Sequence, residues 1–274
     1  MKYNILVVAV CSIIGVGTFG IAQASHTWGG YHWARTANPF TLQIGDNVSL
    51  AWDSYLSTTA SDWSLSSMLD MVINPGKTTP RQCKPSSGRI EVCNEKYGSN
   101  GWLGIAQIWI NGSHITQGTV KLNDTYFRTA TYNTPAWKNL VMCQEVGHIL
   151  GLDHQDENFS NGNLGTCMDY TNSPATNQHP NQHDYDMLTS LYTHLDTITT
   201  VLASATKNSP AVSAKGGNAA VAIAKEIDMN NPSAWGKAFK QDAQGNNSLY
   251  ARDLGNGQTV VTHVTWIEGH EEAE

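Results

Sequence analysis

Basic residues are scarce in this chain: 16 Lys and Arg stand against 23 Asp and Glu, a formal charge of -7. Binding to a phosphate backbone draws on clustered cations that release counterions, so nucleic acid is not expected as a partner. Charge of either sign is also sparse, at 14%, while 40% of the chain is apolar. That balance excludes disordered, collagenous and coiled-coil chains and leaves a folded globular protein. No internal repeat is present, which removes solenoids and arrays. Cysteine is limited to five residues in 274.

The features that are present begin with a leader pattern. Lys2 supplies a positive end, residues 5–14 are apolar, and Ala22-Gln23-Ala24 offers small residues where a signal peptidase cuts. Residues 1–24 are therefore expected to be a signal peptide. Gly15, Gly17 and Gly20 weigh against the alternative, a membrane anchor over residues 5–22. Cleavage would make the mature chain secreted or periplasmic, without membrane attachment. Cys11 leaves with the leader, and Cys83, Cys93, Cys143 and Cys167 then read as two disulfides of an oxidising compartment. Three pairings are open, and local closure favours Cys83 with Cys93 and Cys143 with Cys167.

Alternation predicts a strand over residues 40–50. Ser61 and Asp62 are expected to cap a helix carrying Leu65, Met68, Leu69 and Val72 at i, i+3, i+4 and i+7, stopped by Asn74-Pro75-Gly76. Residues 77–101 look loop-like apart from 89–93, and strands are expected over 103–110 and 119–123. A helix over 136–150 should end at Gly151, and another should start near Asp184 with Met187, Leu188, Leu191, Tyr192 and Leu195 on one stripe. Beyond it the composition shifts to Ala, Ser, Thr and Asn and then to short strands with turns at Gly245-Asn246 and Gly255-Asn256-Gly257. The expected layout is an α+β domain over 25–198, a linker over 199–233 and a β-rich extension over 234–274.

Chemistry concentrates in Cys143-Gln144-Glu145-Val146-Gly147-His148-Ile149-Leu150-Gly151-Leu152-Asp153-His154. On a helix, positions 144 and 148 share a face with Glu145 beside them, and Gly151 lets the chain turn so that His154 returns toward the same point. Singly, each residue has an ordinary reading: solvated glutamate, surface histidines, a core methionine at 168 and a packed aromatic at 170. Together the segment resembles the metzincin zinc-peptidase signature H-E-x-x-H-x-x-G-x-x-H, with Gln144 where that family has histidine. Cys167-Met168-Asp169-Tyr170 is similar to the family's Met-turn.

The resemblance covers roughly residues 25–198 and implies a twisted mixed sheet above a cleft, with the Met-turn and a last helix below. It implies Zn2+ held by Gln144, His148 and His154, Met168 beneath the metal, and Glu145 as the general base that takes a proton from water and passes it to the leaving amine. Tyr170 would stand near the metal, stabilising the oxyanion or coordinating zinc at rest. Gly104, Ile105 and Ala106 would belong to the edge strand that pairs with an extended protein or peptide substrate. A Cys143 to Cys167 bridge would pin the Met-turn under the metal helix. The segment between Ala24 and the first strand is too short for a folded inhibitory pro-segment, so either no latch is needed or the tail after residue 200 supplies one. The implied function is a secreted zinc endopeptidase. Because an amide oxygen is a weaker zinc donor than imidazole, the alternative is a non-catalytic secreted binding protein on the same scaffold.

Overall fold

The computed structural model describes residues 26–202 and 228–270. The expected signal peptide and most of the expected linker lie outside the described residues.

Strand β1 (His32–Trp33) leads to β2 (Phe40–Asn47), helix α1 (Asp53–Trp63) and β3 (Leu69–Pro75). β3 lies parallel to β2, with Phe40 opposite Leu69 and Leu42 opposite Met71, so α1 is the crossover helix of a β-α-β unit. The helix expected after Ser61 is thus a strand, and the helix lies upstream. Leu65 and Val72, two members of the supposed helical stripe, are 74% and 43% exposed, whereas Leu69 and Met71 alternate into the core. The true helical stripe is Leu56, Thr59, Ala60 and Trp63, where a threonine and an alanine mask the apolar period.

β4 (Ile90–Glu95), β5 (Trp102–Asn111) and β6 (His114–Asn123) follow, β5 and β6 forming a hairpin through Gly112-Ser113. After the one-turn helix α2 (Asp124–Phe127) comes α3 (Pro135–Ile149), opened by the Thr134 side chain accepting from the Trp137 amide, with proline at its first position. Helix α4 (Gln182–Tyr192) starts one turn after a 3-10 segment and is capped by Asn181, with Asp184 reaching back to the Asn181 amide. No helix among the described residues is long and apolar enough to cross a membrane.

The C-terminal strands β7 (Lys237–Gln241), β8 (Asn247–Gly255) and β9 (Gln258–Trp266) do not form a separate unit. They continue the same sheet, whose order is β3-β2-β4-β6-β5-β9-β8-β7 with β1 attached to β6. β9 runs antiparallel along nearly all of β5, from Trp102 opposite Trp266 to Asn111 opposite Gln258. α1 and α3 pack on the inner face over Leu42, Ile44, Val92, Val120, Leu122 and Ala106. On the outer face Trp102, Ile105, Trp109, Val260 and Val264 form a second apolar cluster covered by Met229, Ala234 and Trp235. The expected boundary near residue 200 therefore separates chain segments but not cores. Period-two alternation forces this: Val260, Thr262 and Val264 fall on the outer face of β9, and Val261, His263 and Thr265 on the inner one.

Candidate metal centre

Helix α3 carries Gln144, Glu145 and His148, each with no exposed surface. The helix is held from several directions. Trp63 donates its indole N–H to the Cys143 carbonyl at 3.1 Å, and a disulfide joins Cys143 to Cys167; the other disulfide joins Cys83 to Cys93. Met168 lies against Gly147, where an added Cβ would come within 2.5 Å of its sulfur and 2.7 Å of the Trp63 ring. The helix must therefore be bare at 147 for the turn carrying Met168 to close beneath it.

Past the helix end Gly151 sits at φ +92°, and a Cβ there would stand 2.1 Å from the Tyr31 carbonyl oxygen, so only glycine fits the reversal. The N-terminal segment holds the turn in place: the Asp153 amide donates to the His26 carbonyl at 2.7 Å, and Trp28 stacks on His148. This turn brings His154 back so that its Nε2 lies 3.0 Å from His148 Nε2. Helix and turn thus deliver His148 and His154 to one point.

The Gln144 amide is engaged by hydrogen bonds. Its Nε2 donates to the Cys167 carbonyl at 2.9 Å, and its Oε1 accepts from the Thr265 hydroxyl at 3.0 Å. Both polar atoms of the amide expected as a ligand are thus engaged in hydrogen bonds. The third imidazole comes from β9 instead. His263 lies opposite Ala106 in the β5–β9 register, and with His148 and His154 it forms a buried group whose ligand atoms fall within 4.8 Å of one another. The spacing of the α3 motif gave no hint of it; the available signal was a histidine at an inward position of the alternating run Val261, His263, Thr265.

The protonation pattern follows from the partners. His148 Nδ1 lies 2.8 Å from the Leu152 carbonyl, which only accepts, so Nδ1 carries the proton and Nε2 presents a lone pair. His154 Nδ1 faces Glu157 Oε1 at 3.0 Å. Burial raises the Glu157 carboxyl, but His154 and Lys240 outweigh it and hold it below its ordinary range, so Glu157 accepts from His154 Nδ1. Burial, reinforced by neighbouring imidazoles, keeps His148 and His263 well below the ordinary imidazole range. His148 Nε2 thus faces His154 Nε2 at 3.0 Å with the His263 ring beside them, so three imidazoles converge on one point. An imidazole whose far nitrogen is tied, as Nδ1 of His148 and of His154 is, is the form in which histidine ligates a metal, so the residues fit one.

Glu145 completes the group. Its Oε2 is 3.7 Å from His263 Nδ1, and neither of its oxygens, nor His263 Nδ1, has a hydrogen-bond partner among the described residues. Burial pushes its carboxyl up to about 8, against the opposing pull of the nearby Thr265 hydroxyl. Gly104 makes room for it, since a Cβ there would be 2.4 Å from Glu145 Oε1. The Tyr170 hydroxyl is 3.4 Å from His263 Nε2, its ring packs on His154, and burial keeps it a neutral phenol. Gly104, Ile105 and Ala106, expected as an open substrate edge, are paired with Thr265, Val264 and His263 of β9. A cavity of about 440 Å³ is lined by His154, Glu157, Asn158, Lys240 and Asp242 among others, and a smaller one reaches Leu103, Gln144, Tyr170 and Thr265. Lys240 spans the rim of the larger, 2.7 Å from Asp153 and 2.9 Å from Glu157.

No family model matches the chain, and no curated protein matches it. Among solved structures it is similar to myroilysin, at 13% identity and a TM-score of 0.35 over 58% of this chain and 82% of that one. A second myroilysin structure gives 12% and 0.34 over 64% and 97%. High choriolytic enzyme 1, a hatching enzyme zinc-protease of the medaka fish Oryzias latipes, gives 10% and 0.33 over 59% and 94%. At these values the likeness assigns no activity to this chain.

Proposed function

We propose that the chain is an exported zinc-dependent endopeptidase whose ion is held by His148, His154 and His263, with Glu145 as general base. The observation that carries this reading is the convergence of three buried imidazoles beside a buried carboxylate. Zinc at that point would polarise a scissile carbonyl and acidify water. Glu145 is poised for the proton: its raised affinity places it near neutral pH, where a group can both take and return a proton efficiently. Tyr170, still protonated, has a hydroxyl to donate to a developing oxyanion. Two disulfides support an oxidising, extracytoplasmic compartment.

One observation favours a second reading, a non-catalytic binding protein. β9 occupies the edge of β5 along which an extended peptide would pair, and His148, His154, His263 and Glu145 are all buried. Peptide hydrolysis then needs a route past the Lys240 rim or a displacement of β7–β9. Metal analysis of the mature protein coupled to casein cleavage separates the two. The peptidase reading expects one zinc at this centre and cleavage that falls at least about 100-fold in Glu145→Gln with the metal retained. Zinc retained without cleavage in the unaltered protein would establish the binding reading.

A further inference from the structure

A second convergence of histidines lies away from this centre, where the N-terminal strand meets the chain leaving α4. His32 on β1 is opposite His114 at the start of β6, and the segment after α4 brings His194 and Asp196 to the same place. His32, His114 and Asp196 have ligand atoms within 4.8 Å of one another. Asp196 Oδ1 lies 3.2 Å from His114 Nε2, 3.5 Å from His32 Nε2 and 3.8 Å from His194 Nε2. His32 Nε2 and His194 Nε2 are 3.1 Å apart.

The surroundings fix which atoms face inward. His32 Nδ1 lies 2.8 Å from the Gly30 carbonyl and donates to it, which leaves Nε2 as the nitrogen facing the cluster. The other oxygen of Asp196 is taken by the Arg35 backbone amide at 3.1 Å and the Arg35 guanidinium at 2.8 Å, which leaves Oδ1 aimed at the three rings. Three imidazole Nε2 atoms and a carboxylate oxygen therefore converge, and the Arg35 cation is turned to the outer oxygen. Donors at about 2.0–2.1 Å from a shared ion, at tetrahedral corners, lie about 3.3 Å apart, and the three Asp196 contacts and the His32–His194 contact, at 3.1–3.8 Å, bracket that value.

We propose that His32, His114, His194 and Asp196 form a second metal site, a closed four-ligand zinc site with a structural role. Three imidazoles and one carboxylate leave no open position, which marks a structural and not a catalytic site. The ion ties together β1, the tip of the β5–β6 hairpin and the chain after α4, three segments far apart in sequence. β1 continues from the segment that braces the Gly151 turn, so the tie also steadies His148 and His154 at a distance. The site stands independently of the peptidase reading.

The test uses the full mature chain, stripped with chelator and titrated with zinc while bound metal and the thermal midpoint are followed. The wild type should take up two equivalents, and His148→Ala should still take up one. His114→Ala combined with His194→Ala, both at partly exposed positions, should lose one equivalent and the share of the zinc-induced rise in midpoint that belongs to it. His194→Ala alone, at a ring half open to solvent, guards against misfolding and should weaken one equivalent at least 10-fold without touching the other. The proposal is overturned if His148→Ala binds no zinc, or if the double variant binds as much as the wild type.

Discussion

Gln144 on α3 is bonded to Thr265 of β9, two residues from His263, and single substitutions at 144 and 263 have opposite expected outcomes. Gln144→Ala strands the Cys167 carbonyl and the Thr265 hydroxyl, two buried groups, and should cost about 1–3 kcal/mol of stability while leaving zinc affinity within about threefold. His263→Ala removes a neutral ring aimed at the centre. Since losing even a group that only supports a ligand weakens metal binding about 10- to 100-fold, loss of the ring itself should exceed that range. Equilibrium dialysis of both variants, with stability from denaturant melts, reads out the contrast, and a large affinity loss in Gln144→Ala alone would return the ligand role to that residue. The motif spacing made Glu145, His148 and His154 legible because helix period and one glycine suffice to bring them together. It could not reveal His263, whose approach depends on a strand pairing made far along the chain. Nor could it show that a glutamine in a ligand's place is spent on hydrogen bonds.

Within the elements, α3 depends on close approach at one point more than on its own helix propensity. Alanine in place of glycine stabilises an exposed helix position by about 1 kcal/mol. At Gly147 the new methyl would instead meet Met168 and the rigid Trp63 indole, itself fixed by its bond to Cys143. Gly147→Ala should therefore destabilise by about 1–3 kcal/mol, the usual scale of overpacking, and weaken zinc binding by shifting α3 against the turn. Differential scanning calorimetry with and without zinc checks both effects, and a rise in midpoint would contradict the packing described. Elements were legible where local chemistry was decisive. Thr134-Pro135 announces α3, Gly151 ends it, and Asn256-Gly257, both at positive φ, makes the tight β8–β9 turn. α1 was hidden because Thr59 and Ala60 carry its buried stripe, and β3 was mistaken for a helix because two exposed residues, Leu65 and Val72, happened to keep helical spacing.

Across the molecule, composition suggested a catalytic domain with an appendage, because residues 197–231 are poor in large apolar side chains and read as a break. Sheet pairing overrides that break. The partner of β5 is β9, and the outer face bearing Trp102, Ile105 and Trp109 is covered only when Met229, Ala234 and Trp235 return over it. A chain ending near residue 200 would expose the long edge of β5, an invitation to pair with another chain, together with two indoles and an isoleucine whose burial stabilises by about 1.5–3 kcal/mol each. It would also lack His263 and the Lys240 contacts to Asp153 and Glu157. The expected result for residues 25–200 is an insoluble product, or a soluble one without a cooperative thermal transition, that takes up no zinc at the His148 and His154 centre. Residues 25–274 should melt in one transition. If the truncated chain folds cooperatively and cleaves casein, the C-terminal strands are a removable cover over a finished site, and His263 is a guest at the metal and not one of its ligands.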